Sequence, residues 1–131
     1  MITSYALVVL GGGIGAGLRF ALSSYIAVRY GESFPLGTLV INVTGSFVIG
    51  LLASLSDVEG RMLLSPYARE FLMIGVLGGY TTFSSFSLQT LNLARDGEWL
   101  YAGLNAMLSL ALCLAAVWLG HVLAQLINNW R

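Results

Sequence analysis

Residues 78–87 read GGYTTFSSFS, and this stretch decides how the chain folds. It lies inside an apolar segment running from about Tyr67 to Leu93. Two glycines, five Ser and Thr hydroxyls and three aromatic rings make a poor lipid-facing helix. Gly78 and Gly79, followed by Tyr80, Thr81 and Thr82, lower helix propensity at adjacent positions. A break here frees carbonyl oxygens of the preceding half-helix and amides of the next. Freed backbone at membrane depth is tolerated only where something satisfies it. Carbonyls at a half-helix C-terminus suit a Na⁺ ion, and half-helix N-termini suit an anion. The plainer alternative is that the glycine pair is a packing notch.

The surroundings place this stretch in a bilayer. The 131 residues are 57% hydrophobic and 9% charged, with mean hydropathy +0.83, whereas soluble domains carry about 25% charged residues. The chain therefore reads as an all-α integral membrane protein. It has no Lys, and six Arg balance six acids, so no nucleic-acid or acidic partner is implied. The single Cys113 excludes an intrachain disulfide and a Cys-rich metal site. The start, MITSYALVVLGGG, lacks a positive n-region and reads as the opening of a span.

A helix needs about 20 apolar residues to cross the hydrocarbon. Four stretches qualify, at about 4–28, 36–55, 67–93 and 99–127, forming one domain over 1–131. Pro35 and Pro66 stand just before the second and third, where proline suits a helix start. The connections hold almost every charge: Arg29 and Glu32, then Asp57, Glu59, Arg61, Arg69 and Glu70, then Arg95, Asp96 and Glu98. Four spans put Arg61, Arg69 and Arg131 on one side and Arg29 and Arg95 on the other. That near-balance gives the positive-inside rule little to act on. Either orientation is weakly specified, or the chain inserts both ways and two copies pair antiparallel as an inverted repeat. Gly11/Gly15 and Gly13/Gly17 have the small-xxx-small spacing that lets helices approach closely, within the chain or between subunits.

Polar residues within the spans fall on faces. Thr38, Asn42 and Ser46 recur every four residues, as do Tyr101, Asn105 and Ser109. After the expected break, Phe83, Phe86 and Thr90 share a face, with Ser84 and Ser87 beside them. A single Ser or Thr commonly bonds its own helix carbonyl, and Asn commonly bonds a neighbouring helix. Three aligned stripes resemble the lining of a narrow hydrated path. Apart from Glu70, counted with the connection at the start of the third, no Asp, Glu or Lys lies within the spans, although cation paths and proton relays use such carboxylates. Hydroxyls, amides and Arg19 favour a small anion. Arg19 can equally snorkel or pin a helix end. Phe83 and Phe86 suit core or lipid, but an aromatic ring also has a positive edge. Rings presented edge-on would replace part of an anion's hydration without trapping it, as conduction requires.

With these residues in view, the chain resembles the Fluc/CrcB fluoride channels over nearly its whole length. The likeness rests on the Gly-rich first span with Arg19, on PLGTLVINVTGSF (35–47), and above all on GGYTTFSSFS, which fits that family's GG-x-TTFS-[ST]-F pattern. The resemblance implies an antiparallel, dual-topology homodimer in the bacterial inner membrane. It implies two fluoride pores along the subunit interface and a third helix broken near its middle. It further implies a structural Na⁺ on the two-fold axis, held by backbone oxygens of Gly78 and Thr81. It places Phe83, Phe86, Asn42, Ser84, Ser85, Ser87, Tyr101, Asn105, Ser109 and Arg19 along the pore. Gln89 stands where relatives often carry an acid, which should alter the electrostatics of a pore mouth.

The expected activity is passive export of fluoride, conferring fluoride resistance, with no catalysis. Two other classes compete. A small drug or cation transporter would want a membrane-embedded Glu near the middle of the first span, and none is present. A non-conducting assembly subunit would bind through its Gly-rich faces and tolerate replacement of Phe83.

Overall fold

The computed structural model describes residues 1–57, Gly60 and 62–130. Glu59, Arg61 and Arg131, which enter the charge balance between the two faces, lie outside the described residues. Four helices long and apolar enough to cross a membrane are present among the described residues: α1 (Ile2–Tyr30), α2 (Leu36–Leu55), α3 (Pro66–Arg95) and α4 (Trp99–Asn129). The chain is therefore a multi-pass, all-helical membrane protein. The helices overrun three of the expected spans by a turn or less. As a result Arg29 and Arg95, expected in connections, sit in the end turns of α1 and α3, and Arg69 and Glu70, also counted with a connection, sit in the opening turns of α3. Helical backbone continues through a membrane interface because no water competes for its hydrogen bonds in the apolar layer beneath.

The helix ends follow local chemistry. Ser65 caps the start of α3, its side chain accepting from the Ala68 amide at 3.2 Å, with Pro66 at the first helical position. The far end of α3 closes with Gly97 at φ 81°, Gly97 N–H donating to the Ala94 carbonyl and Glu98 N–H to Leu93. That pair of bonds is a Schellman ending, and its left-handed position favours glycine.

Small residues set the packing. α1 and α3 run in the same direction, backbone against backbone. A Cβ on Gly11 would meet the Phe71 carbonyl, and one on Gly15 would overlap the Val76 carbonyl and approach Tyr80 N to 2.7 Å. On the facing side a Cβ on Gly79 would come within 2.9 Å of Gly12 Cα. α2 and α4 also run together, Gly50 against the Val117 backbone and Gly120 against the Phe47 carbonyl. The Ser54 hydroxyl and His121 Nδ1, 2.7 Å apart, tie the same pair farther along.

These contacts settle the two readings of the first-span glycines separately. Gly11 and Gly15 are internal packing residues. Gly13 and Gly17 lie on the open side, with nothing near a Cβ at either.

α3 is the irregular helix. Glu70–Leu77 is wound as a π-helix, and Gly78–Tyr80 returns to α geometry. Thr81 (φ −80°, ψ 158°) and Thr82 (φ −154°, ψ 115°) are extended, and helix resumes over Phe83–Arg95. The axis bends by only 13° across the whole span. GGYTTFSSFS thus contains a two-residue extended step in a nearly straight helix.

Candidate functional site

The step at Thr81–Thr82 is held from three sides. Asn42 of α2 reaches it with both ends of its amide. Its Oδ1 accepts from Thr82 N–H at 2.8 Å, and its Nδ2 donates to the Thr82 carbonyl at 2.9 Å. Arg19 of α1 donates from Nε to the Gly79 carbonyl at 3.1 Å. Thr82 caps the following helix, its Oγ1 accepting from Ser85 N–H at 3.2 Å. Tyr80 is fixed from α2, its hydroxyl 2.8 Å from Thr44 Oγ1.

These bonds redirect the helical donors. In a continuous helix the Gly78 carbonyl would accept from Thr82 N–H, and the Thr81 carbonyl from Ser85 N–H. Here Thr82 N–H is taken by Asn42 and Ser85 N–H by the Thr82 side chain. Gly78 and Thr81 therefore each lose the amide that a regular helix supplies, while Gly79 gains Arg19 in its place. The helix also closes behind the step, because both the amide and the hydroxyl of Thr81 donate to the Leu77 carbonyl at 3.0 Å. The Gly78 and Thr81 oxygens are hard, neutral donors of the kind that take Na⁺.

Beside the step lies an open groove of about 610 Å³, walled by α2, α3 and α4. Gly78, Thr81, Phe83 and Phe86 line it from α3, Asn42 and Ser46 from α2, and Ser109 from α4. The two Phe rings lie with centroids 5.3 Å apart and planes inclined by 53°. Phe83 is 78% exposed on this single chain, an unusual position for a ring beside such a cluster of backbone polar groups. Apart from Thr82, the rest of the lining is apolar and includes Met73, Leu77 and Cys113.

The other expected residues are placed differently. Ser84, Ser85 and Ser87 do not line the groove. Ser85 Oγ accepts from Thr82 Oγ1 at 3.1 Å, and Ser87 donates back to the Phe83 carbonyl at 2.9 Å. Thr90 likewise bonds the Phe86 carbonyl, and it receives Asn105 Nδ2 at 2.8 Å. Asn105, 1% exposed, is the polar clasp between α4 and the end of α3. Tyr101 stands away from the groove, its ring edge-on to Phe34 at 6.0 Å. Arg19 pins a carbonyl instead of lining the groove.

Sequence reasoning passed over Gly75, whose four-residue spacing to Gly79 mirrors Gly11/Gly15 across the helix contact; Gly79 itself, packed on the Gly12 backbone, is the packing notch that was one of the two readings of the glycine pair. Sequence reasoning also passed over Thr82 as a helix cap, signalled by a hydroxyl just before a new helical run.

The family model described as CrcB-like protein, Camphor Resistance (CrcB), matches residues 6–121. The chain belongs to this CrcB-like family. Among its relatives, a fluoride-specific ion channel FluC of Opitutus terrae is 60% identical over 127 residues, covering 97% of this chain and 96% of that protein. A second of the same name, from Paramagnetospirillum magneticum, is 59% identical over 96% of this chain and 98% of its own length. A third, from Rhodospirillum rubrum, is 55% identical over 96% and 98%. The matched region spans all four helices of this CrcB-like chain and contains the step, the groove and both phenylalanines.

Proposed function

We propose that the chain is a fluoride-selective channel through which cytoplasmic fluoride leaves the cell down its gradient. The observation that carries this is the groove: two Phe rings, a two-residue step and the Asn42 and Ser109 side chains converge beside a helix N-terminus. That end presents partial positive charge. Its relatives are named as fluoride-specific ion channels, and the chain is a channel and not an enzyme. A passive pore needs hydrogen-bond donors and ring edges that hold fluoride weakly enough to release it. Phe83 and Phe86 supply the edges. One Asn42 N–H is spent on Thr82, and its second is available to an ion.

The groove is open on one side, which fits a pore completed by a second copy. We assign that copy the opposite orientation in the bacterial inner membrane, giving two pores per homodimer. Exposed Gly78 and Phe83 would then face the partner. The carbonyls of Gly78 and Thr81, deprived of their helical donors, would hold a structural Na⁺ with their counterparts. The ion would supply fixed positive charge and join the subunits. Ser84, Ser85, Ser87, Tyr101, Asn105 and Arg19 remain pore candidates only through that assembly, since none lines the groove of one chain.

The test is fluoride efflux from liposomes holding the purified protein, in Na⁺ medium with chloride as competitor. Rapid fluoride release with negligible chloride release is expected. Phe83→Ile should abolish that release while the dimer still elutes intact. Retained fluoride flux in an intact Phe83→Ile dimer would remove Phe83 from the pore and favour an assembly subunit.

A further inference from the structure

A second recess, of about 440 Å³, lies where the end of α1, the start of α2 and the end of α3 meet. Thr38, Gln89, Asn92, Glu32 and Asp96 line it. Thr38 is 8% exposed. Gln89 Oε1 is buried and has no hydrogen-bond partner among the described residues. Unpaired buried acceptors are costly, and a site that keeps them calls for a donor. The carboxylates of Glu32 and Asp96, exposed on the same recess, fix the sign of that ligand as positive.

Size decides how it binds. No three His, Cys, Asp or Glu side chains cluster closely enough among the described residues to grip a bare metal ion. Mg²⁺, however, dehydrates reluctantly and is often held by one or two carboxylates through its own waters. Six waters occupy about 180 Å³ at about 30 Å³ each, which the recess accommodates. Coordinated waters are strong donors, the group that Gln89 Oε1 lacks, and the Thr38 hydroxyl beside it can accept from them as well.

We propose that this recess binds a hydrated divalent cation of the Mg²⁺ type, held outer-sphere by Glu32 and Asp96 and seated on Thr38 and Gln89. Arg29 and Arg95 lie in the adjoining helix ends and oppose it, though neither lines the recess, so affinity is weak. Thr38 is also one turn before Asn42 on α2. A cation here offsets two carboxylates that would otherwise repel an anion approaching the α2 polar face. This binding does not depend on whether the groove conducts fluoride.

The experiment is a Mn²⁺ titration of the purified protein in an uncharged detergent at constant Na⁺, followed by loss of the free-ion EPR signal. Mn²⁺ shares the oxygen-ligated octahedral preference of Mg²⁺. One saturable site per chain is expected, with a dissociation constant of about 10⁻⁴ to 10⁻³ M. Mg²⁺ should displace the probe. Glu32→Gln and Asp96→Asn should each weaken binding severalfold and up to about thirtyfold, the Coulombic worth in water of a unit charge about 4 Å from a divalent ion. Their elution as intact dimers serves as the folding control. No binding above protein-free micelles overturns the proposal, as does failure of Mg²⁺ to displace Mn²⁺ from the wild-type protein. Unchanged affinity in the two folded variants also overturns it.

Discussion

At the residue scale, Asn42 organises the site. One side chain satisfies both backbone groups of Thr82, a task that water performs in a soluble protein and cannot perform in lipid. Leaving a buried backbone group unpaired costs about 1–3 kcal/mol. Asn42→Ala should therefore lower the melting temperature in detergent and reduce fluoride efflux, with Thr82 stripped of both partners. Asn42→Asp retains the acceptor for Thr82 N–H but replaces the donor with a carboxylate oxygen facing the Thr82 carbonyl. Its melting temperature should also fall below wild type, because that carboxylate is left at membrane depth with only one of its two partners. If Asn42→Ala melts with wild type, the amide clasp does not hold the step. The stripe Thr38, Asn42 and Ser46 was legible from the sequence because spacing reports a face. The clasp itself was not, because spacing carries no information about which backbone group will need a partner.

At the element scale, the two glycine pairs of α1 behave as different objects. Gly15 faces the α3 backbone, where a methyl group overlaps the Val76 carbonyl and neither helix can yield by moving a side chain. Gly15→Ala should destabilise the fold by about 1–3 kcal/mol, as overpacking of a tight contact does. A melting curve in detergent checks this. Gly13→Ala meets nothing within 4 Å and should leave that curve unchanged. If Gly13→Ala and Gly17→Ala nevertheless weaken dimer elution, the open glycine face is a subunit contact. The sequence showed both pairs with identical spacing, and the choice between them depends on which way α1 is rotated. The irregular middle of α3 was likewise visible as poor propensity at Gly78–Thr82. Its straightness, a 13° bend, follows from the Asn42, Arg19 and Thr82 bonds that hold the two limbs in line.

At the scale of the whole molecule, the near-balance of Arg between the two faces bears on assembly. Adding two Arg beside Arg29, in the connection after α1, should fix one orientation by the positive-inside rule. A topology reporter at the C-terminus would read the shift. If the functional unit is antiparallel, that variant alone should lose fluoride efflux. Co-expression with a copy biased the other way, by added Arg in the second connection, should restore it. Full efflux from a uniformly oriented variant would exclude the antiparallel unit. The exposed groove, with Phe83 uncovered, bears on the same proposal from another direction: in the proposed pore, its open side is the wall assigned to the second copy.

By itself the sequence determined the solvent and the class of the protein. Apolar runs of spanning length leave a bilayer as the only phase that accepts them, and in that phase the backbone must be helical. It also marked where the third helix could not be regular, since glycine and threonine propensities are local. Only the tertiary structure decided which polar groups are spent and which remain. Asn105 goes to Thr90, Ser87 to the Phe83 carbonyl and Arg19 to Gly79, while Gly78 and Thr81 are left without their helical donors. Those outcomes depend on helix rotation and close approach. Both are set by backbone contacts at glycines from distant segments, and no local pattern encodes them.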